Sequence, residues 1–136
     1  MSKITKYQIE VTYFTPHPQK HVIDLVSAGE VDNWLSLPSK VDIVLFIAAL
    51  GGGVDYGNFY LFLNKEDAAH IWLHEHREYI PVERHAYDDG TTVTFRYEDG
   101  ETFDVSVREV LSRTRALEAL HYWLSNQDQF PLLEWL

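Results

Sequence analysis

Two short apolar runs, residues 42–50 (Asp-Ile-Val-Leu-Phe-Ile-Ala-Ala-Leu) and 59–63 (Phe-Tyr-Leu-Phe-Leu), constrain this chain more than any other feature. Each is bounded by turn residues and neither alternates polar with apolar positions, so both read as central strands buried on both faces. Residues 51–58, beginning Gly51-Gly52-Gly53, are expected to join them as a flexible hairpin loop. A chain of 136 residues buries roughly two thirds of its unfolded surface, enough for one core without staples. We therefore read residues 1–136 as a single domain. The sequence contains no cysteine, which excludes structural disulfides, thiolate zinc sites, iron–sulfur clusters and cysteine nucleophiles.

The flanking segments add strands and two helices. At positions 7–13, Tyr7, Ile9, Val11 and Tyr13 alternate with Gln8, Glu10 and Thr12, the period of a half-buried strand. Residues 21–26 suggest a second strand beside it, and residues 70–79 a further one. Val93, Phe95 and Tyr97 alternate with Thr92, Thr94 and Arg96, and Asp99-Gly100 leads into residues 102–105, which predicts a hairpin. Ser27 and Glu30 have capping-box spacing, in which each side chain satisfies the other residue's free backbone donor. They predict a short helix through Leu37 with Val31, Trp34 and Leu35 on its apolar face, stopped by Pro38. Ser106 and Glu109 repeat that spacing and predict a longer helix to Leu124, with Val107, Val110, Leu111, Thr114, Leu117, His121 and Leu124 along one stripe. Residues 130–136 read as a last strand that ties one chain terminus into the sheet. Most strand connections are too short for a parallel crossover. The expected architecture is α+β, a largely antiparallel, strongly twisted sheet with two helices packed on one face.

Eleven Lys and Arg against 21 Asp and Glu leave a formal charge of −10. A surface that negative repels phosphate backbones and anionic headgroups, which disfavours direct nucleic-acid or membrane binding and suits a basic protein partner. The basic N-terminus precedes no apolar run, so no secretory signal is read there. Residues 43–50, the longest apolar stretch, are too few to span a bilayer. The expected compartment is the cytoplasm.

Four constellations could carry chemistry or binding. His70, His74 and His76 would share one side of a strand, and a metal-dependent hydrolase is the enzyme reading they allow. Glu75 falls outside the interval between His70 and His74, so the His-Glu-x-x-His zinc motif is absent. The Gly51–Gly57 segment lacks the Lys-Ser or Lys-Thr and the following helix of a phosphate-binding loop. As a mobile loop carrying Tyr56 it is a candidate binding surface, or a lid over a small ligand in a regulatory domain. No serine stands in a Gly-x-Ser-x-Gly elbow, and no catalytic residue, metal ligand or cofactor is assigned. The candidate partner contacts are the turn residues Asp55, Tyr56, Asp88, Asp89, Glu98, Asp99 and Glu101, because exposed carboxylates steer encounter and aromatics anchor interfaces.

The C-terminal half holds a more specific combination. A Tyr97-Glu98-Asp99-Gly100-Glu101 hairpin is followed by a polar strand, the capped helix, and Phe130-Pro131-Leu132-Leu133-Glu134-Trp135. With the apolar strand pair, Ile71-Trp72 and Tyr79-Ile80-Pro81 ahead of it, this order resembles immunity protein family 1 of bacterial polymorphic toxin systems. The resemblance covers the later part of the chain and rests on structural positions. It implies a non-catalytic protein that binds and neutralises a cognate toxin domain, such as a deaminase or nuclease acting on nucleic acid. It transfers that role but no map of the interface.

Overall fold

The computed structural model describes residues 3–35 and 37–136. Ser36 and the Trp34 side chain expected on the apolar face of the short helix lie outside the described residues. The chain runs β1 (Lys6–Phe14), β2 (Pro18–Leu25), α1 (Ala28–Trp34), β3 (Asp42–Gly51), β4 (Val54–Leu63), β5 (Ala68–Glu75), β6 (Arg77–Tyr79) and β7 (Pro81–Glu83). It continues through β8 (Thr92–Arg96), β9 (Thr102–Ser106), β10 (Leu111–Ser112), α2 (Arg113–Asn126) and β11 (Leu133–Trp135). The main sheet has the order β10-β5-β4-β3-β1-β2, and β6 shares the outer edge of β5 with β10. All of its pairings are antiparallel. The architecture is thus α+β, with both helices against one face of an antiparallel sheet.

The uniform hydrophobicity of the central strands follows from what lies on either side. Ile43, Leu45, Ile47, Phe59, Leu61 and Leu63 point towards α2 and form one core with Ala116, Ala119, Leu120, Trp123 and Leu124. Those helical positions recur at the spacing that keeps side chains on one stripe. Val44 and Phe62 point the other way and pack with Phe14, Phe95 and Val105 in a second core. That second core is covered by the β8–β9 hairpin, paired from Thr92↔Ser106 to Arg96↔Thr102 as its sequence predicts. The hairpin does not extend the main sheet; it forms a separate two-stranded ribbon.

Four expectations need correcting. Ser106 caps only one turn of 3₁₀ helix, Val107–Glu109, and the chain then extends through β10. The long helix starts at Arg113, where the Ser112 hydroxyl accepts from Arg115 N at 3.1 Å. Extended backbone from Val110 through a two-residue strand at the sheet edge therefore takes the place of the second turn expected, and the buried stripe follows Ala116 and Ala119 while His121 is exposed. Residues 70–79 are not one strand: His76 adopts φ 68°, and β6 folds back so that Glu75 faces Arg77. The triple glycine does lie in a hairpin connection, but a shorter one than residues 51–58: Gly51 pairs with Val54 and only Gly52 (φ 56°) and Gly53 (φ 78°) turn the chain. Two consecutive positive φ angles make the tight hairpin turn whose twist matches the flanking strands. Finally, the C-terminal strand pairs through Leu133–Trp135 with β7 rather than with the main sheet.

The capping box at Ser27 is present as expected. Glu30 N donates to Ser27 Oγ at 3.2 Å, and the Glu30 carboxylate accepts from the backbone N–H of Ser27 and of Val26. No helix among the described residues is long and apolar enough to cross a membrane.

Candidate functional site

Strand register places Val22, Glu10, Phe46, Tyr60 and Trp72 in one cross-strand row on the face opposite α2. The hairpin packs on the neighbouring row, which holds Val44 and Phe62, and leaves Glu10, Phe46, Tyr60 and Trp72 half-buried and Val22 exposed. Phe46 and Tyr60 are in ring contact at 4.6 Å, and Tyr60 meets Trp72 edge-on at 5.8 Å. Edge-to-face aromatic pairs of this kind hold each other in orientation beyond the area they bury.

Trp72 is further oriented by a polar chain. Its indole N–H donates to His70 Nε2 at 2.7 Å, while His70 Nδ1 lies 2.9 Å from the Glu109 carbonyl. Nε2 accepts, so the ring proton is on Nδ1 and donates to that carbonyl. Burial holds the His70 pKa below its ordinary value, so the ring is neutral in this role. The three histidines therefore do not act together: His70 is buried, His74 is exposed on the same face, and His76 occupies the turn. Among the described residues, no group of three His, Cys, Asp or Glu is arranged to hold a metal ion.

Where the hairpin ends, Tyr97 and Glu98 lean over the open row, and Glu78 approaches from β6. Together with Val44, Tyr60, Phe62 and Trp72 they enclose a cleft of about 260 Å³. Burial, then the charges of Glu98, Glu10 and Glu78, raise the Tyr60 pKa above that of a free phenol, which marks this cleft as electronegative. Glu10 is engaged by Lys20 at 3.5 Å. Glu78 and Glu98 make no ion pair among the described residues.

A second cavity, of about 550 Å³, lies at the far end of β4 and β5 and is lined by Val54–Asn58 and His74–Glu75–His76. Asp55 and Tyr56 meet here. Asp55 Oδ1 accepts from Gly57 N at 2.9 Å, and Asn58, with its amide nitrogen facing the acceptors, donates to Asp55 Oδ2 at 3.3 Å. Glu75 Oε1 is buried without a hydrogen-bond partner among the described residues, and burial, reinforced by Asp128, raises the Glu75 pKa.

The other expected contact residues are not gathered with these. Asp88 accepts from Gly90 N, Asp99 from Glu101 N, and Asp89 from both the N–H and the hydroxyl of Thr91, which lowers the Asp89 pKa. These three carboxylates shape turns by the short-range bonding that favours Asp in such positions. Glu101 is exposed next to Asp99, at the opposite end of the β8–β9 hairpin from Asp88 and Asp89. Of the seven, Asp55 and Tyr56 line one cavity and Glu98 the other. Tyr60, Trp72, Tyr97 and Glu78 were not among them, although the parity of Tyr60 and Phe62 along their run already places both on one face.

Compared with models of known protein families and with curated protein sequences, the chain matches none.

Proposed function

We propose that this protein is an immunity-type inhibitor that binds a cognate toxin domain with a basic active face and blocks entry of its nucleic-acid substrate. The observation that carries the reading is the open aromatic row bordered by Glu78 and Glu98, two carboxylates that make no ion pair among the described residues. Aromatic anchors in a partly desolvated cleft are the groups that dominate protein–protein binding energy. The net charge of −10 supports the same partner chemistry, because it draws a basic domain towards this surface. The order of motifs in the C-terminal part of the chain supports the toxin-neutralising role. Co-expression with the toxin domain encoded beside it, followed by purification of the pair, tests the proposal. Cell rescue together with a complex that weakens as salt rises is the expected result; absence of both would overturn it.

A second reading, a small-ligand regulatory domain, draws on the cavity of about 550 Å³ beside Glu75. Its size falls within the roughly 300–1,000 Å³ typical of ligand sites. The adjoining turn is only two residues long, so a lid would have to come from elsewhere. A metabolite that raises the melting temperature of the toxin-free protein would favour this reading.

A further inference from the structure

The geometry points to the cleft between Tyr60, Trp72 and Tyr97 as a receptor for a single arginine side chain of a partner protein, with Glu78 and Glu98 taking its guanidinium. The inference rests on the inhibitor reading for the identity of the partner, and on the cleft itself for the chemistry. Three features select this occupant over others. The cleft, at about 260 Å³, is smaller than ordinary small-molecule sites and suits one long side chain. Its walls are aromatic: Tyr60 and Trp72 meet at 5.8 Å, and Trp72 and Tyr97 at 6.2 Å. Aromatic faces attract cations, and a planar guanidinium stacks on them as an ammonium does not.

Charge decides the rest. Glu78 and Glu98 line the cleft and are not ion-paired among the described residues, whereas Glu10 already holds Lys20. A cation entering would therefore meet two available carboxylates, and an apolar chain would leave them facing an uncharged group. Guanidinium also matches carboxylate with paired, charge-assisted hydrogen bonds. The receptor is held ready, because the Trp72 indole is tethered to His70 and Tyr97 stacks on Phe103 at 4.2 Å. Less side-chain freedom remains to be lost on binding.

The test uses the intact protein and two blocked amino-acid amides, arginine and its uncharged isostere citrulline. Titrations at low salt are followed by NMR through the Trp72 indole N–H, with the indoles of Trp123 and Trp135 as internal controls. The arginine amide should shift the Trp72 signal saturably and bind roughly tenfold more tightly than citrulline. Glu78→Gln combined with Glu98→Gln, both at exposed positions, should remove that preference while leaving the Trp123 and Trp135 signals in place. Equal response to the two amides, or shifts confined to other indoles, would overturn the inference. A toxin complex indifferent to the double substitution would also overturn it while leaving the inhibitor reading intact. Arginine binding without neutralisation of any toxin would uphold the receptor and remove that reading.

Discussion

Trp72 and His70 work as a unit, because the buried imidazole is both acceptor for the indole and donor to the Glu109 carbonyl. Since burial lowers the His70 pKa, the unfolded chain binds a proton at this position more readily than the folded one. Stability at this site is complete above the ordinary histidine value of 6.5 and is lost as pH falls below it towards the folded pKa. His70→Gln should cost about 1–3 kcal/mol at pH 7.5 by disturbing two buried hydrogen bonds, and should flatten the loss of stability as pH falls below 6.5, as read by urea unfolding. Glu75 has the opposite sign. Its raised pKa means that the folded state keeps a proton the unfolded state releases, so stability falls as pH rises from 4.5 through the folded value. Glu75→Gln should therefore raise the melting temperature at neutral pH, and the gain should vanish below pH 4.5.

Among the elements, the start of α2 separates two serines that look alike in sequence. Ser112 caps a helix of 14 residues, whereas Ser106 caps a single 3₁₀ turn. Ser112→Ala should cost about 1 kcal/mol by leaving a helix N–H unsatisfied, and Ser106→Ala should cost less; chemical denaturation of the two variants decides between the helix starts. Gly51 is constrained for a different reason. A Cβ there would overlap the Lys3 carbonyl oxygen, a backbone atom that cannot swing aside. Gly51→Ala should destabilise by about 1–3 kcal/mol through overpacking, and faster amide exchange at Thr5, whose N–H donates to Leu50, should locate the damage. The β8–β9 hairpin was legible from its alternation and Asp-Gly turn. Its docking place was not, because Phe95 and Phe103 would serve equally in a sheet or across one.

For the whole molecule, the charge of −10 acts at long range. Association with a basic partner should slow by about tenfold or more between low and high salt while dissociation changes little, as stopped-flow mixing would show. Local sequence by itself determined the central strands, the Ser27 capping box, the hairpin turn and the acidic balance. In each of these the residues that set the structure are within a few positions of one another, or need no arrangement at all. Only the tertiary structure decided that Glu10, Phe46, Tyr60 and Trp72 form one row, since that depends on the register of strands drawn from distant parts of the chain. The same holds for Glu78 and Glu98. One comes from a strand that turns back at His76 and the other from a hairpin laid across the sheet, and the cleft between them exists only once both have docked.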